Sequence, residues 1–399
     1  MLFTTRNKMQ YDFDKYIERK GSDSVKYDLN GIIFGKEDLL PMWVADMDFE
    51  VPGFIREAIT ERAAHPVYGY TYRPRRFFEA AANWIGRKHG WEVSPDAFSF
   101  SPGIVPALNM IVMEFSSPGD RILVQPPVYF PFFNAVTNHN RELVYNQLLE
   151  HEGRYEIDFD HLEEEFMKGV KIFFLCNPHN PVGRVWKMAE LKQLAALVVK
   201  YQVLVISDEI HSDLLLFGNK HIPFASLGKE VADLTFTCMA PSKTFNLAGL
   251  YTSVVIATNP SLKKGYERIL DAVHVGGGCL FGQVAFEAAY NHGEDWLRQL
   301  ISYLEENFKM LTQFMAKSLP GAVVSPLEAT YLVWIDFAFL GKDESGLKQF
   351  IIEEAGLGMN DGPMFGPGGA NHQRMNIATT REVLGKGLEQ LANAVVRTS

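Results

Sequence analysis

Five short apolar runs stand out in the middle of the chain. They are RILV at 121–124, KIFFL at 171–175, VLVI at 203–206, LTFTC at 234–238 and SVVIA at 253–257. Each is apolar along nearly its whole length, which is typical of strands covered on both faces. The pattern therefore predicts five buried strands.

Helical patterns separate these runs, most clearly at 158–168 and 188–201. The alternation of buried strands with helices favours an α/β fold whose sheet is mostly parallel and has helices on both faces. In such a sheet the crossovers are right-handed, and ligands bind beyond the carboxyl ends of the strands. The residues that follow the apolar runs are therefore the first candidates for a functional site.

The pattern changes after the last run. A helical period extends over about 283–318, with Gly293 as the point at which this long helix would bend. The segments at 321–337 and 374–380 then have the pattern of strands in a separate, smaller α+β unit. The chain is thus expected to contain a large sheet domain and a small domain.

The predicted domain boundaries follow from this change of pattern. We expect residues 1–50 to contribute to the small domain, residues 51–290 to form the large domain and residues 291–399 to form the C-terminal small domain. A chain of 399 residues commonly divides its hydrophobic core in this way.

Composition and charge exclude several classes of protein. With 47% hydrophobic and 22% charged residues, the chain has an ordinary globular composition, which excludes disordered and fibrous proteins. There are 38 Lys and Arg residues against 48 Asp and Glu, a net charge of −10, and no basic block. Neither nucleic acid nor an anionic membrane is therefore an expected partner. No run reaches the roughly 18 apolar residues that a membrane helix needs.

The cysteines and the first residues suggest a cell compartment. Cys176, Cys238 and Cys279 lie far apart without a CxxC pair, which favours reduced thiols. The opening sequence MLFTTRNKMQYDFDKY contains no apolar signal core. We expect a cytoplasmic protein, with no metal among its site residues.

The segment CNPHNPVGR (176–184) follows the second apolar run. Its two X-Pro turns and its glycine impose a defined shape, from which the Asn180 amide could donate a hydrogen bond. Asn-Pro pairs are also common in ordinary turns, so a purely structural role stays open.

Asp208 follows the third apolar run, at the place where open α/β sheets usually carry a polar site residue. A carboxylate at the end of a buried strand is costly unless something cationic pairs with it. The alternative is a helix cap, because Asp is a favoured capping residue.

Lys243 follows the fourth run and has small and apolar neighbours in PSKTFNLAGL (241–250). Desolvation there would lower its pKa and free the amine for nucleophilic attack or Schiff-base formation. A lysine that extends to solvent is the commoner alternative.

The segment SPGIVPALN (101–109) predicts a turn that opens directly into a helix. Free N–H groups at such a start make a natural phosphate seat, although many helices begin in this way. A phosphate seat, an amide, a carboxylate and a lysine at the ends of successive buried elements would together suit pyridoxal 5′-phosphate. This cofactor needs a lysine for its aldehyde and a carboxylate for its ring nitrogen.

The sequence resembles the fold-type I pyridoxal-phosphate enzymes of the class I/II aminotransferase superfamily. Within them it resembles the cystalysin-type C–S β-lyases, which include cystathionine β-lyases. The resemblance covers nearly the whole chain. The motifs that carry it are PMWVADMDF (41–49), VYGYTY (67–72), SPGIVPALN (101–109), QPPVYFPF (125–132), CNPHNPVGR (176–184), SDEIHSDL (207–214), PSKTFNLAGL (241–250) and RMNIAT (374–379).

The resemblance implies a fold: an aspartate-aminotransferase-like α/β fold with a large domain, built on a mostly parallel seven-stranded sheet, and a small α+β domain. It also implies cofactor contacts. Lys243 would carry the cofactor and later move the Cα proton, and Asp208 would keep the ring nitrogen protonated. Asn180 would donate to the 3′-oxygen and contact substrate, and Tyr129 would stack on the ring unless it merely packs in its Phe-rich segment.

Phosphate binding is likewise implied by the resemblance. The backbone N–H groups of Ile104 and Val105 and the hydroxyl of Ser242 would hold the phosphate. Tyr70 would reach the phosphate of the neighbouring subunit, which requires a homodimer with shared active sites.

Substrate binding is implied for two residues. Arg374 would hold the substrate α-carboxylate through a bidentate pair, the alternative being a surface ion-pair arginine. Trp43 would line the side-chain pocket, or would only anchor its segment to the core.

Two positions depart from the aminotransferase pattern. Tyr251 stands where many aminotransferases carry a phosphate-binding Arg, eight residues after the Schiff-base lysine. His211 stands where they commonly carry a Tyr bonded to the 3′-oxygen, and it could bond there or simply pack. The missing arginine fits the lyase branch better than the aminotransferase branch.

The implied reaction is α,β-elimination of L-cystathionine, L-cystine or S-substituted cysteines to pyruvate, ammonia and a thiol. The alternative on the same scaffold is an aminotransferase. A regulatory protein that works through protein contacts is disfavoured, because the chain has no appended basic or helix-turn-helix segment. A dinucleotide-dependent dehydrogenase is excluded, because no GxGxxG follows an early strand.

Overall fold

The computed structural model describes residues 11–398. The first ten residues lie outside the described residues, and so does the start of the predicted N-terminal segment 1–50. The first ten residues make up most of the opening sequence in which no signal core is expected.

The strands of residues 11–398 form one seven-stranded sheet, one four-stranded sheet and two short pairs. In chain order they are β1 (Leu40–Pro41), β2 (Phe98–Ser101), β3 (Arg121–Val124), β4 (Glu142–Tyr145), β5 (Leu149–His151), β6 (Arg154–Glu156), β7 (Val170–Cys176), β8 (Leu204–Asp208), β9 (Thr235–Met239), β10 (Ser253–Ile256), β11 (Val323–Val324), β12 (Leu332–Asp336), β13 (Leu357–Gly358), β14 (Asn360–Asp361) and β15 (His372–Asn376).

The α-helices of the same residues surround these sheets. In chain order they are α1 (Val25–Asp28), α2 (Asn30–Phe34), α3 (Gly53–Ala64), α4 (Arg75–His89), α5 (Ile104–Phe115), α6 (Pro131–Thr137), α7 (Phe159–Met167), α8 (Met188–Tyr201), α9 (Lys229–Ala232), α10 (Pro241–Thr244), α11 (Pro260–Ala272), α12 (Leu280–His292), α13 (Glu294–Ser318), α14 (Glu344–Gln349) and α15 (Arg381–Thr398).

The large sheet has the strand order β2-β10-β9-β8-β7-β3-β4. Strands β3, β4, β7, β8 and β9 run parallel to their neighbours among themselves, whereas β10 is antiparallel to both β2 and β9. The predicted fold class, a mostly parallel seven-stranded sheet in an α/β protein, is confirmed.

Both faces of this sheet are covered, which explains the continuous apolar runs. Along β7, Ile172 and Phe174 belong to one buried cluster and Phe173 and Leu175 to the cluster on the opposite face. Full burial of such a side chain contributes about 1.5–3 kcal/mol, so each central strand strongly favours its place between two helical layers.

Several predicted elements agree closely with the structure. The run at 121–124 is β3 and the helical pattern at 188–201 is α8. Strands β2 and β4 were not predicted, because neither is a continuous apolar run. Both lie at the edges of the sheet, where β4 is largely exposed and β2 alternates Phe with Ser.

The long helix predicted over 283–318 is divided at Gly293 into α12 and α13. A Cβ atom at Gly293 would collide with the ring of Phe245 and with the backbone of Ala289. The glycine therefore permits a close approach between this junction and the segment that follows Lys243.

The four-stranded antiparallel sheet, in the order β11-β12-β15-β14, lies in the C-terminal part of the chain. The N-terminal segment joins this part through β1, in which Leu40 and Pro41 pair with Leu357 and Gly358. The division into residues 1–50, 51–290 and 291–399 stays a prediction. No helix in the described part of the chain is long and apolar enough to span a membrane.

Candidate active site

A cavity of about 310 Å³ lies beyond the carboxyl ends of β7, β8 and β9 and at the start of α5. This is the position that a mostly parallel sheet predicts for a ligand. The cavity brings together most of the residues singled out from the sequence, namely Ile104, Val105, Tyr129, Asn180, Asp208, His211, Ser242 and Lys243.

Lys243 lies in α10, the short helix that follows β9, and its side chain enters the cavity. Its Nζ donates a 2.7 Å hydrogen bond to the carbonyl oxygen of Ala45. Burial lowers the pKa of Lys243 to about 8, against the opposing charges of Asp46 and Asp208 and with some help from Arg374. The amine therefore reaches its neutral, nucleophilic form close to physiological pH.

Asp208 is the last residue of β8 and is almost completely buried. Burial raises its pKa to about 7, although a hydrogen bond from the N–H of Ile210 and the charge of Lys243 act in the opposite direction. No ion pair with Asp208 occurs within residues 11–398. A protonated ring nitrogen brought into the cavity would supply the missing cation and return the carboxyl group to its ionised form.

Arg374 extends from β15 of the small sheet to Asn180, which lines this cavity. Its Nη1 donates to Oδ1 of Asn180 at 2.9 Å, and its Nη2 donates to the carbonyl oxygen of Trp43 at 3.1 Å and to Oδ1 of Asn360. Burial lowers its pKa to about 10, so the guanidinium stays charged at neutral pH. It is not a surface ion-pair arginine.

One donor of Arg374 is left over. Its Nε atom is buried and has no hydrogen-bond partner among the described residues. An unsatisfied buried guanidinium N–H is costly, and the carboxylate of a ligand is the natural acceptor for it.

The phosphate seat predicted at 101–109 has the expected geometry. Helix α5 begins at Ile104, directly after the extended residue Gly103, so its first N–H groups have no acceptor within the helix. Ser242 lines the same cavity, whereas the hydroxyls of Thr252 and Ser253, which also line it, donate to the carbonyl oxygens of Leu250 and Ser101. The free N–H groups of the helix and the Ser242 hydroxyl are therefore the available donors. These neutral donors and the helix dipole together suit a phosphate dianion.

Tyr129 and His211 flank the cavity with uncharged side chains. Burial raises the pKa of Tyr129 to about 12, so the phenol stays protonated while its ring packs against Phe130 and Phe132. Burial and the nearby charges of Lys243 and Arg374 lower the pKa of His211 to about 3. Its Nδ1 has no partner among the described residues, so this imidazole is free to bond a ligand.

Three predicted residues do not line the cavity, namely Arg374, which contacts the lining residue Asn180, and Tyr70 and Trp43. The side chain of Tyr70 is fully exposed. The indole of Trp43 packs edge-on against Phe34 and donates from Nε1 to the carbonyl oxygen of Lys26 at 3.0 Å. The geometry favours the anchoring alternative for Trp43, whose backbone rather than side chain reaches Arg374.

Sequence reasoning missed the backbone of residues 43–46 and the side chain of Tyr331. The Tyr331 hydroxyl donates to the same Ala45 oxygen as Lys243, at 2.9 Å. Asn376 donates from Nδ2 to the carbonyl oxygens of Val44 and Asp46, both at 2.6 Å. These contacts join residues more than 280 positions apart, and no local pattern signals them.

The family model described as "Aminotransferase class I and II" matches residues 37–391. The chain belongs to this family. It is 43% identical to cystathionine beta-lyase PatB of Bacillus subtilis over 385 residues, which cover 96% of this chain and 100% of that protein. The family resemblance inferred from the motifs is thereby confirmed.

Two solved structures are similar to this structure over nearly the whole chain. Cystalysin from Treponema denticola, which contains pyridoxal 5′-phosphate, has a TM-score of 0.95 and 35% sequence identity, covering 98% of this chain and 100% of its own. The pyridoxal-phosphate-bound C–S lyase from Staphylococcus hominis has a TM-score of 0.91 and 38% identity, covering 97% and 99%.

Proposed function

We propose that this protein is a pyridoxal-phosphate-dependent C–S β-lyase of the cystathionine β-lyase type. The observation that carries the lyase assignment is the similarity, along the whole chain, to proteins named as cystathionine or C–S lyases. The cavity supplies the physical support, because each polar group that the cofactor requires is present in it.

The residues of the cavity fit the cofactor. Lys243 would bind the aldehyde, and Asp208 would pair with the ring nitrogen. Asn180 and His211 would face the 3′-oxygen, and Tyr129 would cover the ring. The N–H groups of Ile104 and Val105, with the Ser242 hydroxyl, would hold the phosphate. When bound, pyridoxal 5′-phosphate supplies an acceptor for the electrons released at the substrate Cα.

The chain's own residues then perform the remaining tasks. Arg374 holds the substrate α-carboxylate and so fixes the direction of the Cα–H bond. Lys243, whose low pKa makes a neutral amine available, removes the Cα proton at Nζ. Asp208 keeps the ring nitrogen protonated throughout. The Cβ–S bond breaks with its electron pair on sulfur, and the thiolate takes up a proton and leaves as a thiol. Water then hydrolyses the released aminoacrylate to pyruvate and ammonia.

The experiment that tests this function is pyruvate release from L-cystathionine by the purified holoenzyme without any added keto acid. Pyruvate with matching ammonia is the expected result, and L-cystine and S-alkyl cysteines serve as further substrates. Absence of pyruvate together with amino transfer to added 2-oxoglutarate would establish the alternative, an aminotransferase.

The proposal includes a homodimer with shared active sites. Tyr70 supports it, because this side chain and the neighbouring Tyr68 and Tyr72 are exposed on the segment between α3 and α4. Tyr70 would reach the cofactor phosphate of the partner subunit.

The proposal also includes a cytoplasmic location. All three cysteines are free thiols, and Cys176 and Cys238 are buried side by side with Asp208 in the large sheet. Reduced thiols of this kind suit a reducing compartment.

A further inference from the structure

The turn that follows β8 divides its side chains between two places. Asp208 and His211 line the cofactor cavity. Glu209 and Asp213, on the same turn, instead enter a second buried cluster together with His89 and His221. The turn that carries Asp208, the carboxylate proposed to pair with the ring nitrogen, is thus also held by contacts that lie outside the cofactor cavity.

Glu209 is completely buried and accepts three hydrogen bonds. Its Oε2 accepts from Nε2 of His221 at 2.7 Å, and its Oε1 accepts from the Ser207 hydroxyl at 2.8 Å and the N–H of Phe224 at 3.0 Å. Burial lowers the pKa of His221 against the charge of Glu209, and Nε2 is the ring atom that faces the Glu209 side chain. Glu209 is adjacent in sequence to Asp208 and fixes the backbone that presents it.

Asp213 connects the far end of the turn to the lysine helix. Its Oδ1 accepts from Nε2 of His89 at 3.1 Å and from Nε1 of Trp84 at 2.9 Å. Its Oδ2 accepts from the Thr244 hydroxyl at 2.9 Å, and Thr244 is adjacent to Lys243. Burial opposes the ionisation of Asp213, but these three donors outweigh it and hold its pKa below its usual value.

The two carboxylate–imidazole pairs are in contact with each other. The rings of His89 and His221 meet edge to face with their centroids 5.1 Å apart. The side chains of His89 and His221 are buried at 1% and 0% exposure. The cluster therefore links the backbone next to Asp208 to the backbone next to Lys243 through buried hydrogen bonds, and the Nδ1 atom of each imidazole has no partner among the described residues.

We propose that Glu209–His221 and Asp213–His89 act as positioning pairs that fix Asp208 and Lys243 relative to each other. This inference rests on the proposed function, in which Asp208 binds the ring nitrogen of the cofactor and Lys243 binds its aldehyde. A displacement of about 1 Å in such an arrangement can cost on the order of a hundredfold in rate. Burying two carboxylates costs free energy, and in this proposal what they contribute is the precise geometry of Asp208 and Lys243.

The test compares substitutions that remove one hydrogen bond with substitutions that retain it. Thr244→Val deletes the hydroxyl that binds Asp213, and Thr244→Ser retains it. His221→Leu deletes the donor to Glu209, and His221→Gln retains a donor at the position of Nε2. The matched control is Thr235→Val, because Thr235 is equally buried but lies at the opposite end of β9 and donates only to the Val231 carbonyl oxygen.

Each holoenzyme is examined by visible circular dichroism of the bound cofactor, by kcat and KM for elimination, and by its melting temperature. The Val and Leu variants should lower kcat about tenfold or more with little change in KM, and should weaken the dichroic band. The Ser and Gln variants should restore both properties. Thr235→Val should lower only the melting temperature.

Three outcomes would contradict the proposal. A wild-type band and kcat in both the Val and Leu variants would leave the cluster with a purely structural role. Equal losses in the Gln and Leu variants would mean that the Nε2 hydrogen bond is not responsible. If the Val or Leu variant does not fold, a Ser or Gln variant with a lost band would also refute the idea. The band does not depend on turnover, so failure of the lyase assay in the wild type would be recognised separately.

Discussion

The Nη1 atom of Arg374 donates a 2.9 Å hydrogen bond to Oδ1 of Asn180, which lies 194 residues earlier in the chain. Asn180 belongs to the loop after β7 of the large sheet, and Arg374 belongs to β15 of the small sheet. The residue proposed to bind the substrate carboxylate is therefore fixed directly to a residue proposed to bind the cofactor. Substrate and cofactor are thus oriented by one continuous set of contacts.

Replacement of Arg374 by Lys should mainly weaken substrate binding. The substitution keeps the positive charge but removes the planar set of donors and the free Nε atom. We expect KM for L-cystathionine to rise by about tenfold to a hundredfold, with a smaller change in kcat. Steady-state kinetics would check this. An unchanged KM would mean that another residue binds the carboxylate.

Replacement of Lys243 by Ala should abolish the reaction. The variant loses both the attachment point of the cofactor and the base for the Cα proton, a role that alone contributes about 10²–10⁴-fold. We expect loss of the visible absorption of the lysine-bound cofactor, together with loss of pyruvate formation. Elimination that persists at the wild-type rate would refute the mechanism.

Replacement of Asp208 by Asn should lower kcat by at least about a hundredfold. Breaking a buried ion pair from one side costs about 3–5 kcal/mol, and the ring nitrogen would lose the charge that keeps it protonated. Single-turnover measurements of Cα proton removal would locate the defect. A change confined to KM would contradict the proposed role.

Asp208 also predicts a pH dependence of stability in the cofactor-free protein. Burial raises its pKa from 3.8 to about 7, so the folded chain binds this proton more tightly than the unfolded chain does. The contribution to the free energy of unfolding is complete below about pH 4 and is lost as the pH rises through about 7. The total loss should approach about 4 kcal/mol.

Urea unfolding of the cofactor-free wild type and of the Asp208→Asn variant, over the same pH range, would measure this effect. The variant has no titrating carboxyl group at this position, so the difference between the two proteins should change in favour of the variant with rising pH. Parallel curves for the two proteins would show that the carboxyl group has an ordinary pKa.

The shared active site can be tested by complementation between two inactive variants. A hybrid dimer of Tyr70→Ala and Lys243→Ala chains contains one site with both native residues and one site with neither. Random mixing makes about half of the dimers hybrids, so activity should recover to about a quarter of the wild-type value. Mixtures that stay inactive after dissociation and reassociation would exclude sharing through Tyr70.

The sequence by itself determined the α/β class and eight of the residues that line the cavity. Strands such as β3 and β7 are covered on both faces, so their consecutive residues are apolar and the sequence indicates their burial directly. Asp208 ends such a strand and Asn180 and Lys243 each follow one, and the carboxyl ends of parallel strands necessarily meet at one edge. A local signal and a general rule of sheet topology were enough to group them.

Only the tertiary structure decided the contacts that join distant segments. The antiparallel direction of β10, the edge strands β2 and β4, and the meeting of Ala45, Tyr331 and Lys243 all depend on long-range packing. The position of the Trp43 indole outside the cavity depends on packing in the same way. Hydrophobic periodicity reports which face of an element is buried, but it does not identify the partner against which that face is buried. This is the physical reason why the chemistry could be inferred residue by residue, whereas the geometry that aligns Arg374, Asp208 and Lys243 could not.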